Sequence, residues 1–473
     1  MATVPQGVGP TLDADHPLLR PGYGRWVVVT LLLVSIINFA DRAVLNVLAQ
    51  PIKEDLHLTD TDLGLLQGLG FAIFYSVLGI PLGVLAERTV RIRMLATCIA
   101  AFSIMTAACG LATNFVTLLL CRIGVGVGEA GTAPVSSSLV ADHFDQNRRG
   151  SVLGIILLGA PFGFLLGQSV GSLVASEWGW RAAFYAMSVP GLLIAALVFF
   201  TLREPPRGLA EGAIAEGTQE APSFRTVLGY LWAKPTFRQL ITGFVLAGFA
   251  MNAIANFVLP FYLRGFDVPL ATVGVMFGLV SFLSNGTGML LGGFWFDRLA
   301  RRDPRWALRA PAICLSLCAP IYAGAFLARD IYLSMSFVFF GNLVLAMHMA
   351  QTSATMQNMV GPRMRATTAA VVALIVGILA AGLGPTLAGY LSDVFSENSF
   401  AGGVFFTQCP GGRGVDGLGT NLDIACVRAS TEGLRLALLS VLPVFAWGAV
   451  HYWLASRTLT RDMYRPVPSS GRS

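Results

Sequence analysis

Four ionisable residues lie inside stretches of the chain that are otherwise apolar. Arg122 and Glu129 belong to the segment RIGVGVGEAG, and Asp41 and Arg42 belong to IINFADRAVLNVL. An ionised side chain near the centre of a bilayer costs roughly 2.5–3.5 kcal/mol on insertion scales. Four such charges facing lipid would cost on the order of 10 kcal/mol, which is comparable to the net stability of a whole protein. If these stretches cross a membrane, the four residues must pair or line a wet cavity.

Two kinds of chemistry are open to such residues. The first is a fixed ion pair that only joins two helices. The second is proton exchange, because burial favours the neutral form of a carboxyl group and a nearby arginine favours its charged form. Moving a cation toward or away from Asp41 or Glu129 would then release or capture a proton. Arg42 or Arg122 could also receive an anionic group, since a guanidinium presents a fork of donors.

The glycines of the same segment raise the question of a nucleotide site. Gly126, Gly128 and Gly131 match G-x-G-x-x-G. A dinucleotide fingerprint needs a strand before its first glycine, within a βαβ unit. The preceding residues, FVTLLLCRIGV, instead continue a long apolar run, and no βαβ alternation occurs in the sequence. We therefore interpret Gly124, Gly128 and Gly131 as a bare helix face on which a neighbouring helix packs.

The composition is that of an all-α membrane protein. Of the 473 residues, 55% are hydrophobic and only 12% are charged. Crossing a bilayer takes about 20 apolar residues, and stretches of that length recur along the whole chain. Cutting the sequence at charged and turn-forming residues predicts twelve transmembrane helices, at 26–48, 62–86, 93–112, 114–140, 150–176, 180–203, 237–263, 270–296, 307–327, 330–360, 365–394 and 431–456.

The distribution of Lys and Arg predicts the orientation, because positive residues are retained on the cytoplasmic side of a membrane. With both termini cytoplasmic, the outer loops hold only Lys53, Arg181, Arg264, Arg329, Arg413 and Arg428. The net charge of +6 is thus a topology signal, and we expect no nucleic-acid partner. The first 25 residues lack the features of a secretory signal, so we expect no cleavage.

Helix geometry also predicts which charges share a depth. The first span runs outward and the fourth inward, and Asp41 and Arg122 each lie about eight residues from the outer end of their spans. At about 1.5 Å per residue the two reach the same level, and Glu129 lies about 10 Å deeper.

Cysteine positions suggest two environments. Cys98, Cys109, Cys121, Cys314 and Cys318 fall in predicted spans, where small apolar packing is the ordinary role. Cys409 and Cys426 share the long outer loop before the last span. The sequence allows either a disulfide between them or two free thiols.

A repeated loop motif divides the chain in two. GVLAERTVRIR begins at Gly83 and GFWFDRLARR begins at Gly293, 210 residues later. Over its whole length the sequence resembles the major facilitator superfamily, which has two pseudo-symmetric six-helix bundles and such a loop in each. The resemblance implies a cytoplasmic gating motif, in which Glu87 and Val90 depart from the usual Asp and Gly. Its residues here are Gly83, Glu87, Arg88, Arg91, Gly293, Asp297, Arg298 and Arg301.

This resemblance implies five regions: a cytoplasmic tail at 1–25, a first bundle at 26–203, a linker at 204–236, a second bundle at 237–456 and a cytoplasmic tail at 457–473. Within the linker, SFRTVLGYLW predicts a short surface helix.

A narrower resemblance is to the spinster group of lipid transporters. It is carried by Asp41-Arg42, by Gly64-Leu65-Leu66, by RIGVGVGEA and by APVSSSLVADHF. The group usually has Ser-Tyr after Glu-Ala, whereas this chain has Gly131-Thr132. The resemblance implies a lysophospholipid or a sphingoid phosphate as the substrate.

The second half offers neutral polar residues in place of charges. Candidates for a cavity lining are Asn252, Asn256, Asn285, His348 and Gln351. His348 lies between two methionines, where a hydrogen-bonded packing role competes with titration near neutral pH.

We therefore expect a secondary transporter that works by alternating access. Asp41 and Glu129 would couple it to protons, with Arg42 and Arg122 as charge partners or anion-binding residues. The substrate would be an amphiphilic anionic lipid, and the alternative is a small organic anion such as a sugar acid or aromatic carboxylate.

An enzyme and a receptor are the rival classes. No nucleophile elbow, H-E-x-x-H or P-loop occurs in the sequence, so we expect no catalysis, cofactor or metal. The rich Arg content favours a bacterial inner membrane, where we expect a monomer in contact with the lipid bilayer.

Overall fold

The long apolar stretches of the sequence all form helices. A computed structural model describes residues 18, 20–207, 209, 224–266, 268–361 and 364–463, and no strand occurs within these ranges. Water is absent from a bilayer core, so each spanning segment must satisfy its backbone hydrogen bonds internally, and a helix does this without a partner.

The first half of the chain contains eight helices, some of which are pieces of one span. They are α1 (Pro21–Asp55), α2 (Asp60–Gln67), α3 (Leu69–Arg88), α4 (Arg91–Cys109), α5 (Phe115–Ala130), α6 (Thr132–His143), α7 (Gln146–Leu157) and α8 (Gly159–Thr201).

The remainder contains a short connecting helix and nine further helices, with one π-helical turn at Gly377–Gly382. They are α9 (Phe224–Trp232), α10 (Pro235–Gly265), α11 (Leu270–Arg302), α12 (Trp306–Leu327), α13 (Ile331–Asn358), α14 (Arg365–Val376), α15 (Leu383–Ser399), α16 (Phe405–Gln408), α17 (Asn421–Val441) and α18 (Pro443–Asp462). The surface helix predicted in the linker corresponds to α9.

Eleven helical stretches of the described chain are long and apolar enough to cross a membrane, and one of them is long enough to cross it twice. Residues 148–201 would extend about 80 Å as a straight helix, against a bilayer core of about 30 Å. The helix breaks at Gly179, whose φ of 80° lies in the left-handed region. The two arms are the predicted fifth and sixth spans, so the prediction of twelve spans is confirmed.

Two helix irregularities face each other across the halves. Gly68 separates α2 from α3, and the π-helical turn separates α14 from α15. A Cβ added to Gly68 would lie 2.3 Å from the carbonyl oxygen of Gly382, and one added to Gly64 would lie 2.4 Å from that of Pro385. The backbones therefore touch here, and larger residues would push the halves apart.

The helices expose two opposite faces. One carries the α1–α2 connection and the disulfide between Cys409 and Cys426, and we call it the disulfide face. The other carries the repeated loops and residues 201–207 and 224–234, and we call it the linker face. The sequence allowed either a disulfide or two free thiols at these cysteines, and the structure has the disulfide, with Cα atoms 5.5 Å apart.

Some bounds differ from the predicted ones. Helix α17 begins at Asn421, ten residues before the predicted twelfth span, because Thr420 caps it on the disulfide face. At the other end, α1 begins at Pro21, inside the predicted tail.

Removing the disulfide as Cys409→Ser/Cys426→Ser should lower the free energy of unfolding by about 2–4 kcal/mol, because it closes a loop in the unfolded chain. The measurement is the thermal unfolding midpoint in detergent. A reductant should lower the midpoint of the wild type and leave that of the double variant unchanged. Equal midpoints for both oxidised chains would contradict this role.

Candidate functional site

Helices α1 and α5 hold the four charged residues that the sequence singled out. Asn114 begins α5 with a reciprocal cap in which its side chain accepts from Thr117 N–H. The glycines of α5 allow it to lie directly against α4, since a Cβ on Gly128 would fall 2.7 Å from the backbone nitrogen of Phe102. The glycine motif is therefore a helix-packing surface. We call Asp41, Arg42, Arg122 and Glu129 the four-charge cluster.

Asp41 and Arg122, expected at one depth, form an ion pair. Arg122 Nη1 donates to Asp41 Oδ2 at 3.3 Å, and the Thr106 hydroxyl also donates to the Asp41 carboxylate. Asp41 is 3% exposed and Arg122 is 2% exposed. The pair is thus removed from solvent and joins α1, α4 and α5.

Glu129 pairs with the other arginine. Arg42 places both Nε and Nη2 at 2.7 Å from Glu129 Oε2. The second carboxylate oxygen, Oε1, is buried and has no hydrogen-bond partner among the described residues. The Glu129 side chain is 0% exposed and that of Arg42 is 26% exposed. A buried acid is therefore held on one oxygen by a cation that is itself partly exposed.

Aromatic rings of α3 cover the two arginines. The Arg42 guanidinium carbon lies 4.5 Å from the ring centroid of Tyr75 and 4.8 Å from that of Phe71. Arg122 approaches the same Phe71 ring at 5.4 Å. Such contacts attract a cation by about 0.5–2 kcal/mol. Phe71 thus touches both guanidiniums, and it lies three residues after the helix break at Gly68.

The cluster contains two acids and two cations, so it is neutral when all four are charged. Two of its polar atoms, Glu129 Oε1 and Arg122 Nε, are buried without a described partner. A buried unsatisfied group costs about 1–3 kcal/mol. The arrangement can therefore accept a proton or a ligand atom without first breaking all of its existing bonds.

The first predicted gating motif bonds to α6 and to the residues that follow α8. Arg91 is buried and donates from Nε to Glu204 at 2.7 Å and from Nη2 to the Pro205 carbonyl at 2.9 Å. It also pairs with Asp142. Gly83 is half-buried near Pro134, Arg88 is exposed, and the Glu87 side chain lies outside the described residues.

The second predicted gating motif lacks comparable ion pairs among the described residues. Gly293 has open space around it, and the side chains of Asp297, Arg298 and Arg301 are exposed. Within the described ranges these three make no ion pair, so neither motif is seen to join the two halves at the linker face.

The polar residues of the second half bond mainly to their own helices. The side-chain amides of Asn252, Asn256 and Asn285 each donate to the carbonyl four residues earlier, at 2.7–2.8 Å. Gln351 is half-buried. His348 is buried beside the rings of Phe244 and Tyr452, with Nδ1 against the Leu345 carbonyl. No described hydrogen bond joins these residues to the four-charge cluster.

A second buried charge network, missed by the sequence analysis, joins the halves at the disulfide face. Asp60 accepts from Lys53 Nζ at 2.7 Å and from both terminal nitrogens of Arg264 at 2.6 and 2.7 Å. Asp393 accepts from the backbone N–H groups of Asp60 and Thr61 at 3.0 and 2.7 Å. We call Lys53, Asp60, Arg264 and Asp393 the interbundle network.

The sequence signal that could have found this network is the position of its charged residues near the predicted outer ends of the spans. Lys53 and Arg264 lie at span ends predicted on the same outer side, where cations are few, and Asp60 begins the next span. The pairing itself joins residues as far apart as 60 and 393.

The family profile and the relatives that match this chain all indicate membrane transporters. The family profile of the Major Facilitator Superfamily matches residues 31–385. An MFS-type efflux pump of Mycolicibacterium smegmatis is 30% identical over 96% of this chain and 97% of its own. Protein spinster homolog 1 of Homo sapiens is 29% identical over 80% of this chain and 75% of its own. A hexuronate transporter of Bacillus subtilis is 29% identical over 59% of this chain and 66% of its own.

A solved structure extends the likeness to the fold. A bacterial homologue of the human lysosomal transporter Spinster, in an inward-facing and unoccupied conformation, matches with a TM-score of 0.87 and 30% identity. The match covers 95% of this chain and 100% of that one.

Replacing Arg122 by Gln should destabilise the protein by about 3–5 kcal/mol, because Asp41 would remain buried without its cation. Adding Asp41→Asn should recover part of this loss, since no uncompensated charge then remains. Thermal midpoints of the two single variants, the double variant and the wild type test this. Arg435→Gln, which breaks an exposed pair with Glu432, is the control and should cost at most about 1 kcal/mol. Additive losses at Asp41 and Arg122 would contradict the pairing.

Proposed function

Because the chain belongs to the major facilitator superfamily, we propose that it is a proton-coupled secondary transporter that works by alternating access. It is a multi-pass integral membrane protein related to the spinster group. Its family and fold are those of transporters, which supports transport as its role in place of catalysis.

The observation that carries proton coupling is the state of Glu129. It is fully buried and held on one oxygen by Arg42, and its other oxygen has no hydrogen-bond partner in the part of the chain that the structure describes. A carboxylate needs its cation only while it is charged. Protonation would therefore release Arg42, and loss of the proton would bind it again. In this proposal Asp41 and Arg122 form the second, parallel pair.

Release of Arg42 offers a place for an anionic substrate. Its guanidinium is partly exposed and is flanked by Phe71 and Tyr75. A guanidinium fork suits a phosphate or carboxylate, and the adjacent rings suit an apolar body. We propose an amphiphilic anionic lipid, such as a lysophospholipid or a sphingoid phosphate, and similarity to proteins named spinster supports this class.

A small organic anion is the second candidate substrate. The similarity to a hexuronate transporter supports it, because a sugar acid offers the same carboxylate to Arg42 without a long apolar tail.

We place the protein in a bacterial inner membrane with both termini cytoplasmic. The sequence has most of its Lys and Arg in the segments of the linker face, and this orientation puts the disulfide on the outer, more oxidising side. Closure of the disulfide face by the interbundle network then corresponds to a carrier that is shut toward the outside.

Glu129→Gln should keep the fold but abolish flux driven by an imposed pH gradient, because the amide cannot exchange the proton that binds and releases Arg42. The measurement is uptake of a labelled lysophospholipid by reconstituted vesicles, with and without the gradient. Glu177→Gln, at an exposed acid near the break in α8, is the matched control and should behave as wild type. Gradient-driven flux that persists in Glu129→Gln would refute the proposed coupling.

The two substrate classes can be separated by competition in the same vesicles. A lysophospholipid substrate predicts that unlabelled lysophospholipid lowers the labelled flux severalfold, whereas excess hexuronate leaves it unchanged. Flux of labelled hexuronate that ignores lysophospholipid would overturn the lipid proposal and leave proton coupling standing.

A further inference from the structure

An arginine-lined depression of about 500 Å³ opens on the disulfide face, away from the four-charge cluster. It lies between the end of α10, the disulfide loop and the first turns of α17. Its charged lining has four arginines and two carboxylates, namely Arg264, Arg413, Arg428, Arg435, Asp423 and Glu432. Two of these arginines also pair with carboxylates outside the lining, Arg264 with Asp60 and Arg413 with Glu54 at 3.3 Å.

Helix α17 makes this depression amphiphilic. Arg428 and Arg435 follow Ile424 by four and eleven residues, which places all three on one side of the helix. Ile424 is 52% exposed, and Val427 lines the depression beside it. An apolar group can therefore lie next to the arginines, as in a ligand with a charged head and a hydrocarbon chain.

The carboxylates only partly neutralise these arginines. Asp423 accepts from the backbone N–H groups of Gly414 and Gly419, each at 3.0 Å, and lies 3.7 Å from Arg413. Glu432 pairs with Arg435 at 2.8 Å. Throughout the described ranges, Arg428 has no carboxylate within 4.0 Å. Its guanidinium remains available to a ligand.

The depression shares one residue with the interbundle network. Arg264 lines it and at the same time binds Asp60 through both terminal nitrogens. Asp60 belongs to the first half of the chain and Arg264 to the second. An anion in the depression would attract the same guanidinium that joins the halves.

We propose that this depression binds a phosphate-bearing amphiphile, and that its occupation weakens the contact between Arg264 and Asp60. Two anions would then compete for one fork of donors. By linkage, a ligand that favours separation of the halves binds more tightly once they have separated. The site is thus an outer control point for opening of the disulfide face, whatever substrate the four-charge cluster serves.

Binding is tested with dodecyl phosphate, below its micelle-forming concentration, titrated calorimetrically into the purified full chain. Losing one charge-assisted contact in Arg428→Gln should raise the dissociation constant about tenfold. Arg329→Gln removes an exposed arginine from another loop of the same face and should bind as wild type. Equal affinity in Arg428→Gln and wild type would overturn the site.

The effect on the halves is read from hydrogen exchange of the peptide that contains the Asp60 and Thr61 amides, which donate to Asp393. Saturating dodecyl phosphate should speed their exchange severalfold in wild type and Arg329→Gln. At the same concentration Arg428→Gln should show little change.

Inorganic phosphate serves as the second probe. An equal effect would identify free phosphate as the ligand, and an effect of dodecyl phosphate alone would identify the lipid head with its chain. Unchanged exchange with either bound probe would overturn the coupling. Neither assay measures transport, so a negative result here leaves the proton-coupling proposal untouched.

Discussion

A charge inside a membrane protein must have a partner, and this constraint organises the structure. The interbundle network is buried, the four-charge cluster is buried except for Arg42, and each balances two cations with two carboxylates. The first lies within one half of the chain and the second spans both halves. These two sets of ionisable groups therefore lie in different places, one inside a bundle and one across the contact between the halves.

Close packing connects the four-charge cluster to the contact between the halves. Phe71 touches Arg42 and Arg122 and lies just after the helix break at Gly68. Gly68 in turn rests against the π-helical turn of the second half. A rearrangement of the arginines therefore has a short, contiguous route of packed atoms to the contact between the halves.

The sequence identifies the spans and the four charges because a single ion in an apolar run is a strong signal. Depth along the helices was enough to bring Asp41 and Arg122 together. The bond between Arg42 and Glu129 was less evident, since it depends on the tilt and rotation of α1 against α5. The break at Gly68 and the π-helical turn could not be foreseen, because they lie against residues more than 300 positions away in the chain. The sequence places the members of the interbundle network on one side of the membrane, but not their pairing, which joins Asp60 to Arg264 and to Asp393 across the two halves. The early start of α17 was missed because its first turns are polar and lie beyond the apolar run.

The interbundle network has a further electrical property. Its first-half members, Lys53 and Asp60, sum to zero, and so do its second-half members, Arg264 and Asp393. When the halves separate, each retains one cation and one carboxylate, so neither half is left with an unbalanced charge. Charge displacement across a membrane responds to voltage by about 2.3 kcal/mol per elementary charge per 100 mV. In the proposed alternating-access cycle, separating the halves at this network would move no net charge, so the membrane potential would have little effect on that step.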